Sequence, residues 1–156
     1  MEQLPEHGTC FICRSDNPHG VGIVLFGHED GTITADFTYT TAQQGPPGHA
    51  HGGASAAVLD EAMGAVVWFN GYMVVAANLN IDFKRPVPLA VPVQVKSWVV
   101  GQDGRKVTAH SELRLPDGEV AVMGKGLFVE APHLFIDSAF TENYAHYLSH
   151  MKTQHK

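Results

Sequence analysis

The stretch Ala54 to Asn70, ASAAVLDEAMGAVVWFN, is apolar around nearly its whole circumference and carries Asp60 and Glu61 as its only charges. A helix of this kind must be buried on most sides. It falls short of the ~20 apolar residues needed to span a bilayer, so it reads as the centre of a globular core. Strand-length apolar runs flank it. Val21 to Phe26 and Thr32 to Thr40 precede it, and Val74 to Lys84, Val91 to Gly101, Arg105 to Leu115 and Glu119 to Val129 follow. Asp30-Gly31, Asp103-Gly104 and Asp117-Gly118 separate consecutive runs, where left-handed turn conformations favour Asp and Gly, and they predict a meander. The expected fold class is α+β, an antiparallel β-sheet wrapped around a central long α-helix.

At 156 residues the chain supplies one substantial core. A net charge of -6 excludes a broad basic face for nucleic acid or an anionic membrane. Four of the 10 cations nevertheless stand in two adjacent pairs, Lys84-Arg85 and Arg105-Lys106, which composition alone assigns to solvated strand ends. The start Met1-Glu2-Gln3-Leu4-Pro5-Glu6 lacks a basic segment with an apolar continuation, and this predicts a cytoplasmic protein. The two cysteines form a C-x-x-C, Cys10 and Cys13, flanked by His7 and His19. Without a second pair of ligands at zinc-finger spacing, two ordinary buried thiols are expected rather than a metal cluster. After Pro132, Phe140, Tyr144, Tyr147, Leu148 and Met151 recur at helical spacing. The expected organisation is a domain over 1–131, with a leader over 1–20, and a helical tail over 132–156.

Chemistry concentrates where the helix begins, in Gln43-Gln44-Gly45-Pro46-Pro47-Gly48-His49-Ala50-His51-Gly52-Gly53. Gly52 and Gly53 let the backbone approach a ligand, and the first helical amides and the positive end of the helix dipole suit the oxyanion of an attacked carbonyl. Asp60 is the second element. A carboxylate inside an apolar helix is costly unless paired or used, and burial raises its pKa toward neutrality. Small residues at helical spacing, Ala56, Ala57 and Gly64, leave room beside Asp60, which favours it as the functional acid with Glu61 on the rim. Gly52 and Asp60 are about 12 Å apart along one helix, too far to touch the same carbonyl. If both act, two antiparallel helices related by a twofold axis are required, which predicts a homodimer.

These residues carry a family resemblance. The stretches GPPGHAHGGASAAVLDEAMG, NLNIDFKRPVPL and GRKVTAHSEL resemble the hotdog-fold thioesterases of the PaaI type from about Cys10 to Val129, and CFICRSDNPHGVGIVLF is similar to the leader of one branch. The resemblance implies dimers, often dimers of dimers, that hydrolyse acyl-CoA, with coenzyme A entering only as part of the substrate. It implies Asp60 as general base or nucleophile, the Gly52 N–H as oxyanion donor and His51 as the supporting histidine. Gly53 and Glu61 border the substrate, Arg85 and Pro86 match a segment near CoA, and Arg105 reaches toward its phosphates. Gln44 is the candidate for an amide side chain that related enzymes carry before the His-Gly-Gly. Ala76 and Gly64 stand where some relatives have a hydroxyl residue, so water is not positioned by Ser or Thr there.

Three other readings are distinguishable from this one. PPGHAHGGASAAVLDEAMG loosely resembles the turn and acidic helix of hotdog dehydratases and hydratases, although their histidine motif is unmatched. A non-catalytic acyl-CoA binding or sensor protein would share the fold without the hydrolysis. A zinc-binding interaction module built on Cys10 and Cys13 is the remaining alternative. The acyl group is not written in the sequence, although Trp68, Phe69, Tyr72 and Met73 are candidates to shape its pocket.

Overall fold

The computed structural model describes residues 1–6 and 8–135, so the tail helix expected from Phe140 to Met151 lies outside the described residues. A seven-stranded antiparallel sheet curls around one helix. The strands are β1 (Glu2–Gln3), β2 (Phe26–Gly27), β3 (Ile33–Thr38), β4 (Val74–Phe83), β5 (Pro92–Asp103), β6 (Lys106–Arg114) and β7 (Val120–Glu130), and the helix is α1 (Gly52–Phe69). Among the described residues, no helix is long and apolar enough to cross a membrane.

The helix owes its place to one face. Val58, Leu59, Ala62, Met63, Val66 and Val67 are fully buried against the sheet. The opposite face, with Ala56, Ala57, Asp60, Glu61, Gly64 and Ala65, is only half-buried. The sequence pattern is thus apolar on a side that the sheet of a single chain does not cover.

All three Asp-Gly pairs form turns, and Gly31, Gly104 and Gly118 adopt positive φ values of 79, 58 and 87 degrees. They join β2 to β3, β5 to β6 and β6 to β7. The strand order, β1-β2-β3-β5-β6-β7-β4, departs from a simple meander because β4 pairs with β7 at the far edge. No Asp-Gly lies between β4 and β5. The link there holds Pro86 and Pro88 and is held to the loop before α1, where Ala50 N–H donates to the Val87 carbonyl at 2.8 Å. It carries the chain back across the sheet to β5, beside β3.

The strand expected over Val21 to Phe26 is a correction. Only Phe26–Gly27 is sheet. Gly22, at φ 71 degrees, interrupts the run, and its neighbours pair with the leader instead. Val21 N–H donates to the Phe11 carbonyl at 2.8 Å, Ile23 N–H to Ile12 at 2.9 Å, and Leu4 N–H to Leu25 at 2.9 Å. The leader is therefore folded onto the domain, with Leu4, Ile12 and Cys13 in the core.

Tyr39, fully buried, joins the end of β3 to the helix by donating its hydroxyl to Ser55 Oγ at 3.2 Å. Burial pushes its phenol up to about 12. The folded pKa lies above the unfolded one, so this contribution is complete below the ordinary tyrosine value near 10 and is lost as pH rises through the folded value. Urea unfolding should lose about 1.4 kcal/mol between about pH 9 and about pH 11, beyond the drift shown by Tyr39→Phe under the same conditions.

Candidate active site

The entry to α1 is built by local hydrogen bonds. Thr40 caps the short 3-10 turn Thr41–Gln43, and Gln43 returns its side-chain oxygen to the Thr40 N–H at 3.0 Å. The Gln43 amide also donates to the Gly20 carbonyl at 3.1 Å, and its own carbonyl accepts from His51 N–H at 2.7 Å. Gln43 thus joins the strand end, the leader and the helix start. The capping pattern Thr40-x-x-Gln43 is the sequence signal for this role, whereas the family resemblance points to the neighbouring Gln44. Gln44 is exposed, and its side-chain oxygen accepts from Gly48 N–H at 3.1 Å, closing the prolyl turn.

His51 is the N-cap of α1. Its Nδ1 accepts from Gly53 N–H at 2.8 Å, which in the neutral imidazole leaves the proton on Nε2. The Gly53 amide is thereby occupied. The Gly52 N–H, first in the helix, has no hydrogen-bond acceptor among the described residues. It stands at the positive end of α1, where a developing negative charge is stabilised. A cleft of about 340 Å³ opens at its neighbours His51 and Gly53, lined also by Gln44, Phe11 and His19 among others.

Asp60 opens on a different cavity. About 310 Å³ in volume, it is walled by Asp60, Glu61, Gly64 and Trp68 of α1, Val74 to Ala76 of β4, Phe128 of β7, and Leu4, Pro5, Leu25 and Phe135. The wall is mainly aliphatic and aromatic, without Lys or Arg. The Asp60 carboxylate has no hydrogen-bond or ion-pair partner among the described residues. Burial first, and the neighbouring charge of Glu61 second, raise its pKa above the ordinary carboxylate value. Glu61 is held at the leader rather than on an open rim, with Cys10 Sγ donating to its Oε2 at 3.9 Å.

The other expected residues fall apart spatially. Trp68 lines the Asp60 cavity and donates its indole N–H to the Val74 carbonyl at 3.3 Å. Phe69 packs on Gly27, while Tyr72 and Met73 lean on the core. Arg85 is exposed and paired with Asp117 at 2.9 Å, two residues beyond the end of β4 and followed by the exposed Pro86. Arg105 donates to the Glu130 carbonyl at 2.8 Å, and Glu130 pairs with Val74, where β4 begins. The two arginines therefore lie at opposite ends of the sheet, on the order of 30 Å apart along the strands. Gly52 approaches the ring of Phe83, the last residue of β4, so Arg85 shares its end of the sheet.

One helix wrapped by an antiparallel sheet, with a Gly-Gly entry and an acid two turns inside, defines a hotdog domain. The family model described as "Thioesterase superfamily" matches residues 47–122, which span the entry loop, α1 and β4 to the start of β7. The chain is 43% identical over 93 residues to acyl-coenzyme A thioesterase THEM4 of Bos taurus, covering 60% of this chain and 35% of that protein. It is 38% identical over 93 residues to THEM4 of Xenopus laevis, covering 60% of this chain and 39% of that protein. It thus spans well under half the length of these relatives. A crystal structure described as a thioesterase superfamily protein superposes with a TM-score of 0.70 at 39% identity, over 71% of this chain and 55% of that chain. The E. coli PaaI protein shares the fold, with a TM-score of 0.66 at 20% identity over 71% of this chain and 80% of that chain. The chain thus has the hotdog fold, and over residues 47–122 it is similar to the thioesterase superfamily, as the sequence resemblance implied.

Gly45 tests the entry loop. A Cβ there would stand 2.7 Å from the His51 Cα, a backbone atom that cannot swing aside. Gly45→Ala is expected to lower unfolding stability by about 1–3 kcal/mol in a urea titration.

Proposed function

We propose that this domain hydrolyses acyl-CoA thioesters to the free acid and CoA, at sites shared between two copies of the chain. The observation that carries this reading is the division of labour along α1. An amide without an acceptor and a carboxylate without a partner stand on one helix about 12 Å apart, the carboxylate lining one opening and the residues either side of the amide lining another. Neither completes a site within one chain.

The edge strand supports a twofold solution. β4 has β7 on one side and no strand on the other among the described residues, and its Val75, Leu79 and Phe83 are 37%, 39% and 58% exposed. A long apolar edge is an aggregation hazard unless covered. Antiparallel pairing of β4 with its copy covers it and sets the two α1 helices antiparallel, their half-buried Ala56 and Ala57 allowing close approach. The Gly52 amide of one chain then faces the partner's Asp60. Arg85 of one chain comes to the end of the sheet that carries the partner's Arg105, which suits the phosphates of CoA. A dimer suffices for the site; dimers of dimers are compatible with it.

In this reading the thioester carbonyl oxygen lies at the Gly52 N–H. Asp60 either takes a proton from attacking water or attacks the carbonyl itself, in which case water then cleaves the resulting mixed anhydride to free acid and carboxylate. The charge that develops on oxygen is held by the amide and the helix dipole, the C–S bond breaks, and the CoA sulfur leaves as a thiol once protonated. His51 fixes the Gly53 amide and with it the backbone angle of the Gly52 donor. Gln44 and Gly53 border the acyl or CoA entry. The raised pKa of Asp60 brings its basicity nearer to neutrality.

Asp60→Asn should abolish hydrolysis across a panel of short, long and aromatic acyl-CoA substrates while the dimer persists in sedimentation. Binding of acyl-CoA by the wild type without turnover would instead identify a sensor, and hydration of a crotonyl thioester a hydratase. A sharper test uses Gly52→Pro, because proline is tolerated at the first helical position and removes the N–H, while its added Cβ meets only the Phe83 side chain, at 3.3 Å. His51, at φ -62 and ψ 136 degrees, already has the conformation a following proline requires. That variant should lose at least about 100-fold in kcat. Unfolding, mixing and refolding it with Asp60→Asn should restore roughly a quarter of wild-type turnover, since each mixed dimer holds one intact site. No recovery on mixing would place both groups in the same chain's site and overturn the shared arrangement.

A further inference from the structure

Where the leader crosses α1, the Sγ atoms of Cys10 and Cys13 and one carboxylate oxygen of Glu61 all lie within 4.8 Å of one another. Among the described residues they are the single such grouping of His, Cys, Asp and Glu. The C-x-x-C is folded as a knuckle that presents both sulfurs to one side. Ile12 N–H donates to Cys10 Sγ at 3.4 Å, and Arg14 N–H donates to the Cys10 carbonyl at 3.2 Å. An N–H bonded to sulfur favours a metal-bound thiolate, as outer hydrogen bonds do at metal sites generally. Cys13 is buried, Cys10 and Glu61 are half-buried, and no disulfide joins the cysteines. The nearby guanidinium of Arg14 turns to Asp16 and Glu6.

Two thiols and a carboxylate drawn from segments 51 residues apart form a donor set that suits zinc, a d10 ion that accepts sulfur and oxygen ligands in a tetrahedron. We infer that Cys10, Cys13 and Glu61 bind one zinc ion that staples the leader to α1. The exchange balances without oxidation or reduction: each thiol releases its proton to solvent, the two thiolates and the carboxylate bind Zn²⁺, and a solvent molecule takes the fourth position. The sequence favoured two plain thiols because the third ligand lies far along the chain, on a helix whose acids read as catalytic. The staple also has a place in the site. Leu4, Pro5 and Leu25 wall the cavity onto which Asp60 opens, so the ion fixes the leader that supplies part of that wall. This inference does not depend on the thioesterase reading.

The test uses the full chain, stripped with a chelator and kept reduced with a phosphine. Titration with Co²⁺ is expected to give a thiolate-to-cobalt charge-transfer band and the intense visible bands of tetrahedral cobalt, saturating at one ion per chain and bleached by Zn²⁺. Cys10→Ser and Cys13→Ser should each remove the charge-transfer intensity, and Glu61→Gln should weaken cobalt binding by at least about tenfold. If a cysteine variant fails to fold, the wild type still decides the matter, since saturating Zn²⁺ should protect both thiols from a chromogenic disulfide reagent. Absence of the bands, or thiols equally reactive with and without zinc, overturns the site. Wild-type cobalt affinity in Glu61→Gln overturns the staple, because the ion would then not join the leader to the helix.

Discussion

The structure depends on burying a helix that is apolar on two faces with a sheet that covers one. Val58, Leu59, Ala62, Met63, Val66 and Val67 satisfy the first face completely. The second face is built from Ala56, Ala57, Gly64 and Ala65, and it is here, rather than in the core, that Asp60 sits. The same side of the molecule ends in β4, a strand with one neighbour and exposed Val75, Leu79 and Phe83. Two incomplete surfaces, one of helix and one of strand edge, lie side by side. A single twofold contact would complete both, so the proposed dimer and the proposed shared site rest on the same residues.

The entry loop converts that geometry into polarity. A helix start leaves its first amides without acceptors, and such ends are normally capped by a side chain. Here His51 caps through Nδ1 but reaches the Gly53 amide, leaving that of Gly52 without an acceptor among the described residues. The loop before it is held from three directions, by the capped turn at Thr40, by Gln43 to the leader and by Ala50 to the β4–β5 link. In the proposed reaction the Gly52 donor meets a transient charge and is useful only if it does not have to move, and these bonds hold the loop that carries it.

Much of this was legible in local chemistry. The helix ran from Gly52 rather than Ala54, and five of the six apolar runs became strands within a residue or two of their expected bounds. The Asp-Gly pairs marked their hairpins because each puts a glycine where the link takes a positive φ. What the sequence did not reveal was lateral order. Nothing local in Val74–Phe83 says that it pairs with β7 rather than β5, since strand neighbours are chosen by the path of the crossover. The same blindness affected the charges. Arg85 and Arg105 looked alike as strand-end cations, yet the order of strands sends them to opposite ends of one chain. The run Val21–Phe26 failed for a different reason: its partner is an irregular leader, and Gly22 bends it to suit.

Asp60 and Glu61 show how adjacent carboxylates acquire different surroundings. Successive side chains on a helix diverge by about 100 degrees, so two neighbouring carboxylates cannot share an environment even when both face away from the sheet. Asp60 points into an apolar cavity with no partner, where burial raises its proton affinity. Glu61 reaches the cysteines of the leader. The charge of the second raises the pKa of the first, so the two environments are not independent. The leader that engages Glu61 also walls the Asp60 cavity with Leu4 and Pro5, and this makes the N-terminal segment part of the site's construction rather than an appendage to the fold.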